Sequence, residues 1–202
     1  MQVRLDKRAR IIADGGQAYP VDLLRDHTLV QVRQKYTDDT GELTLAPGEE
    51  TTDEVTVGGR VVFVRNTGKL CFASLQDGFT ETSNGERLQI MLSKAEVGDE
   101  SLAAWKSDVD LGDHVWVRGR VVVSRRGELS IMAAEWRMAS KALRPLPTLH
   151  KELSEETRVR RRYADLVVRE ESRQMVRTRA LITRAVRRAL DERGFLEIET
   201  PI

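Results

Sequence analysis

The chain has 202 residues, 40% of them hydrophobic and 32% charged, with a formal net charge of +1. No apolar run approaches the roughly 20 residues of a membrane span, and the charged start MQVRLDKRARIIADGG lacks the apolar core of a signal peptide. A lone cysteine, Cys71, excludes an internal disulfide, and three scattered histidines show no metal-ligand spacing, so the chain reads as a reduced cytoplasmic protein without structural metal.

Residues 3–13 predict a short charged helix, stopped by Gly15-Gly16 and Tyr19-Pro20. TDDTGELTLAPGEETTDE (37–54) holds seven acids and no base, and it reads as a mobile loop or linker. Five β-rich segments follow, at 55–65, 69–76, 87–92, 114–124 and 128–138, and a helix is expected around 99–107 between the third and fourth. Three strands, a helix and two strands is the order of an OB-fold, a five-stranded Greek-key barrel. LRPLP (143–147) marks the exit from that barrel, since proline continues neither a ladder nor a helix. Beyond it, Met175, Ile182, Val186 and Leu190 recur at helical spacing up to a cap at Gly194. The last residues, GFLEIETPI, read as an edge strand with nothing to cover it, which expects a partner chain or a continuing sheet.

Charge is uneven along this order. Residues 1–58 carry 7 basic and 11 acidic side chains, and residues 151–193 carry 13 basic and 8 acidic. A basic third suits a polyanion partner, and a solvated, salt-bridged helix face has the same composition. RVRRRYADL (158–166) has both readings. It can contact a nucleic-acid backbone, or it can be a structural helix salt-bridged to Glu155, Glu156 and Asp165, and the structural reading is preferred.

An OB barrel binds single strands across strands 2 and 3. With Cys71, Ala73 and Leu75 inward, Phe72 projects outward, and with Leu88, Ile90 and Leu92 inward, Gln89 stands outward beside it. A ring can stack on a base while an amide reads its edge. Arg65 and Lys69 flank the first turn and suit phosphates, whereas Glu128 by pattern alone is a turn residue in a charged hairpin. A bulge that inverted this parity would instead bury Phe72. No catalytic dyad and no phosphate loop stand out, so no active site is expected in these residues.

GKLCFASLQD, GELSIM, KALRPLP, RVRRRYADL, RGFLEIETPI and the DHT at Asp26-His27-Thr28 together resemble the N-terminal half of class II lysyl-tRNA synthetases. The resemblance implies a mainly β fold with helices. An N-terminal helix and acidic loop (1–54) would precede an OB-fold anticodon-binding domain (55–142). A linker and the truncated start of an α+β catalytic domain (143–202) would follow. By position, Phe72 would stack on an anticodon base, Gln89 would read the middle uridine, and Arg65 and Glu128 would complete the pocket, which replaces the turn reading of Glu128. Gly194, Phe195 and Pro201 fall in the first class II motif, the homodimer interface of the family. The implied partners are the anticodon arm of tRNA(Lys) and a second copy of the full-length protein. ATP and Mg²⁺ serve the full-length enzyme through motifs beyond residue 202, and none is expected to bind here.

Three other readings compete. The chain can be the synthetase-like half of a membrane-fused lysyl-phosphatidylglycerol synthase, whose membrane domain would precede Met1. It can be a stand-alone nucleic-acid-binding OB module. A sugar-binding barrel is disfavoured because Trp105, Trp116 and Trp136 fall at helical or strand-core positions instead of clustering on one face.

Overall fold

A computed structural model describes residues 1–78, 85–147 and 153–200. They form two compact units, one from residues 1–78 and 85–146 and the other from residue 147 onward.

In the first unit, helices α1 (Gln2–Ala13) and α2 (Leu29–Lys35) precede strands β1 (Glu50–Thr67), β2 (Leu70–Gln76) and β3 (Arg87–Ser93). Helices α3 (Lys94–Val97) and α4 (Asp99–Asp108) then lead to β4 (His114–Val123) and β5 (Leu129–Ser140). The strands close in the order β1-β2-β3-β5-β4, with β4 returning to β1. All pairings are antiparallel except β3 with β5, where Gln89, Ile90 and Met91 run parallel to Ser130, Ile131 and Met132. This is the expected five-stranded fold.

Alternation along the strands fills the barrel: Val55, Val57, Val61, Cys71, Ala73, Leu75, Leu88, Ile90, Leu92, Val115, Val117, Ile131 and Ala133 are all buried. Helix α4 contributes Leu102 and the fully buried Trp105, whose ring meets Trp136 edge-on at 5.1 Å. At Gly119 even a methyl group would lie 2.0 Å from the Met132 carbonyl oxygen, so only glycine lets β4 and β5 approach this closely. Trp116 departs from the expected core position: it is half-exposed on the outer face, donates its indole N–H to the Leu24 carbonyl and lies under Arg137.

Two further features depart from the sequence reading. Helix α2 escapes the sequence reading because one face of seven residues carries only Leu29 and Val32 as buried anchors, yet a full capping box between Thr28 and Gln31 starts it. The acidic stretch is organised. The Asp38 carboxylate accepts from Thr40 and Glu42, Thr37 bridges Leu43, and residues 50–54 already belong to β1. Glu50 and Glu54 can sit in a strand because Arg120 and Arg118 on β4 face them at 3.0 and 3.3 Å.

A buried charge cluster ties the N-terminus to the barrel exit. The fully buried Lys141 ammonium donates to Asp108 O, Asp110 Oδ2 and Asp113 Oδ2, each at 2.6 Å, which uses all three of its hydrogens. Asp113 also accepts the backbone N–H groups of Asp110 and Ala142, and Lys7 on α1 pairs with Asp110 at 2.8 Å. Burial pushes the Asp110 carboxyl up, but hydrogen bonds from Lys141 and Lys7 outweigh it and hold it below the usual range.

In the second unit, α5 (Glu155–Arg160), α6 (Arg162–Val168) and α7 (Glu170–Asp191) turn around the fully buried Asp165, which accepts from Arg162, Arg169 and Ser172. Arg160 pairs with Glu156 at 3.0 Å, so RVRRRYADL forms a salt-bridged corner broken at Arg161. Residues 195–200 join no ladder among the described residues, so the expected strand is not formed there.

Replacing Lys141 with alanine leaves the buried Asp113 charge uncompensated and is expected to cost about 3–5 kcal/mol of unfolding free energy, read as a drop in the urea midpoint. His114 sets a pH dependence. Burial, reinforced by the Arg60 charge and opposed by Asp113, lowers its pKa from 6.5 to about 4. The unfolded chain therefore binds a proton that the folded chain refuses, and stability falls as pH drops from 6.5 towards 4. His114→Gln should flatten the melting temperature across that window; an unchanged slope contradicts this assignment.

Candidate nucleic-acid interface

The outer face of the barrel is set by two local features. On β2 and β3 simple alternation holds: Cys71, Ala73 and Leu75, with Leu88, Ile90 and Leu92, are buried, which turns Phe72, Ser74, Gln89 and Met91 outward. On β1 a bulge intervenes, since Val61 pairs with Leu75 but Phe63 pairs with Ser74. The extra residue reverses the parity of the strand. Phe63 and Arg65 therefore face out, and Val64 packs against the core.

The registers align these side chains in two rows across four strands. One row runs Arg65, Phe72, Met91 and Met132; the next runs Phe63, Ser74, Gln89 and Ser130. In the first, the Arg65 guanidinium stands 4.8 Å from the centre of the Phe72 ring, a cation–π contact worth about 0.5–1 kcal/mol at an exposed site. In the second, the Gln89 amide nitrogen donates to Ser130 Oγ at 2.8 Å, and Ser130 donates to the Glu128 carbonyl at 2.9 Å.

The hairpin between β4 and β5 forms the rim. Gly127 takes the left-handed conformation (φ 82°) that its turn requires. Ser124 closes the loop by donating its N–H to Glu128 O and accepting the Glu128 N–H at Oγ. Arg125 and Arg126 are exposed at the tip, and the Glu128 side chain is exposed beside them. Rim and rows enclose a groove of about 690 Å³ with Phe63, Phe72 and Met91 as apolar surface, Gln89 as an amide, and Arg65, Arg125, Arg126 and Glu128 as charges. Three cations against one carboxylate make the groove electropositive.

Arg65, Phe72, Gln89 and Glu128 thus meet in one groove. Lys69 stays at the β1–β2 turn and is absent from its lining. Gly194 and Phe195 belong to the second unit, and Pro201 lies outside the described residues. Gly194 (φ 80°) ends α7, with its N–H on Asp191 O and the Phe195 N–H on Leu190 O. Phe63, Met91 and the two hairpin arginines are groove residues that sequence reasoning missed, as is the buried Ser130 behind Gln89. VVFVR is β-favouring at every position and does not reveal a bulge, while Ser130 becomes visible only once the parallel register is known. Cations of α1 are engaged elsewhere in the first unit: Arg4 holds backbone carbonyls of Leu111, Ala142 and Arg144, Lys7 holds Asp110, and Arg10 holds Asp108.

Comparison with known proteins finds two families along the chain. Residues 55–139 match the OB-fold nucleic acid binding domain family, and residues 154–202 match the tRNA synthetases class II (D, K and N). A lysine–tRNA ligase of Kineococcus radiotolerans is 59% identical over all of this chain and 38% of its own length. That of Mycolicibacterium gilvum is 56% identical, again over the whole chain and 38% of the relative. The lysylphosphatidylglycerol biosynthesis bifunctional protein LysX of Rhodococcus jostii is 38% identical over the whole chain and 16% of the relative. The chain therefore spans little more than a third of the length of the ligases it matches. Residues 55–139 thus match OB-fold nucleic acid binding domains, the last residues match the class II tRNA synthetases, and the whole chain matches lysine–tRNA ligases from end to end.

Proposed function

We propose that this chain is the anticodon-recognising part of a lysine–tRNA ligase, and that the groove holds the anticodon loop of tRNA(Lys). The observation that carries this is the outward Phe72 ring set diagonally beside the Gln89 amide, in a groove flanked by three arginines. A splayed loop base stacks on Phe72, its Watson–Crick edge meets Gln89, and Arg65, Arg125 and Arg126 neutralise loop phosphates. Arg65, already over the ring, lies where it closes the stack from the β1 side. Glu128, on the rim, accepts from base or ribose donors.

The whole protein would then use ATP and Mg²⁺ to attach lysine to that tRNA in the cytoplasm. Among the described residues no group of three or more His, Cys, Asp or Glu side chains is placed to hold a metal ion. No chemical step is assigned to the described residues. Among the described residues no helix is long and apolar enough to cross a membrane. On α7, Met175, Ile182, Val186 and Leu190 are 41–64% exposed along one helical face, and Phe195 is 62% exposed. That stripe suits a second copy of the full-length protein, with Gly194, Phe195 and Pro201 in the dimer interface. The ligase reading is preferred over the lipid-modifying one because identity is 59% to the first ligase and 38% to LysX.

Fluorescence anisotropy with a tRNA(Lys) anticodon stem-loop at physiological salt tests the reading. The native loop should bind more tightly than one with its middle uridine replaced by adenosine. Phe72→Ala should weaken the native loop by about 1–3 kcal/mol, the value of one base–aromatic stack, and erase the preference. Equal affinity for every loop and protein, with a steep salt slope, would reduce the groove to a nonspecific polyanion site.

A further inference from the structure

The Gln89 amide is held in one orientation by a hydrogen-bond relay that ends on the backbone. Ser130 is fully buried, and its Oγ lies 2.9 Å from the Glu128 carbonyl oxygen. A carbonyl oxygen only accepts, so the hydroxyl hydrogen is committed to it. In its second contact, 2.8 Å to the Gln89 amide, Ser130 must therefore be the acceptor and the amide nitrogen the donor. A reversed amide would press Oε1 against an oxygen with no hydrogen left to give. The relay is anchored at both ends. The Glu128 carbonyl also accepts the Ser124 N–H at 2.9 Å, and the parallel ladder sets Ser130 opposite Gln89.

An amide fixed in this way presents Oε1 and its remaining N–H side by side, as an acceptor next to a donor. Uridine carries N3–H between two carbonyl oxygens and matches that order. Cytidine carries an acceptor N3 beside a donor amino group and, in the same pose, needs the opposite order. We propose that Ser130 is the positioning residue that makes this groove prefer uridine to cytidine, by fixing which end of the Gln89 amide faces the base. The proposal rests on the anticodon reading of the groove. To admit cytidine the amide must turn over, which forfeits either the Gln89–Ser130 bond or the Ser130–Glu128 bond. One such bond corresponds to about tenfold in affinity.

Ser130→Ala isolates this effect, because the Glu128 carbonyl keeps the Ser124 N–H and the hairpin keeps its closure. The measurement is the affinity of the chain for anticodon stem-loops carrying uridine or cytidine at the middle position, for wild type, Ser130→Ala, Gln89→Ala and the double variant. The uridine-to-cytidine ratio should fall about tenfold in Ser130→Ala, mostly through tighter cytidine binding. In the Gln89→Ala background Ser130→Ala should leave the ratio unchanged. An unaltered ratio in Ser130→Ala overturns the proposal and leaves the anticodon reading standing. So does an equal loss for both loops, or an effect of the same size without Gln89. A wild type with no preference among loops defeats the anticodon reading itself, and this proposal with it.

Discussion

Three parallel residue pairs between β3 and β5 decide what this barrel can do. The other contacts of the sheet are antiparallel and join segments near in sequence or long strands running side by side. The parallel junction alone brings residue 89 beside residue 130, across forty residues of chain that include α3 and α4. It seals the barrel, so the inner faces of all five strands become one core, and on the outside it lays the start of β5 against the Gln89 amide. Without that register Glu128 and Ser130 would be hairpin residues with nothing to act on. The groove is a by-product of closure.

Charge is distributed on the same principle of commitment. In the first unit Arg4, Lys7 and Arg10 of α1 reach carboxylates and carbonyls around Asp108, Asp110 and Ala142, and Lys141 is consumed by Asp110 and the buried Asp113. On β4, Arg118 and Arg120 face glutamates of β1, and Arg120 also grips Glu96 with both amino groups, holding that carboxyl below its usual range. Arg65, by contrast, rests on an aromatic ring, and Arg125 and Arg126 stand exposed on a hairpin tip. A near-neutral protein thereby keeps a locally positive groove. In the second unit the arginine-rich corner is spent on Asp165 and Glu156.

The sequence makes the barrel legible because alternation on β2, β3 and the first part of β4 is clean and glycine or asparagine marks the turns. The same alternation exposes Phe72 and Gln89, and a ring beside an amide is what suggests a reader of bases. Arg65 was legible as a cation beside the first turn, whereas Glu128 needed the family resemblance. A bulge decides the direction of Arg65, and the neighbours of Glu128 come from tertiary register, which no local pattern records. Phe63 and Ser130 were hidden for the same reasons. The acidic stretch misled because seven carboxylates without a base resemble a solvated loop; its cross-strand arginines lie some seventy residues away. The terminal apolar alternation reads as a strand, but a strand requires a partner ladder, and the described residues supply none.

The central claim is that the β1–β2–β3–β5 face, with its ring and oriented amide, is where RNA binds. The most direct test is an NMR titration of the isotope-labelled chain with the tRNA(Lys) anticodon stem-loop. The account predicts upfield ring-current shifts of the Phe72 ring protons, and movement of the Gln89 side-chain amide and the Glu128 backbone signals. The Trp116 indole and the arginines of α7 should stay in place. Shifts concentrated on α7, with Phe72 and Gln89 unmoved, would contradict it.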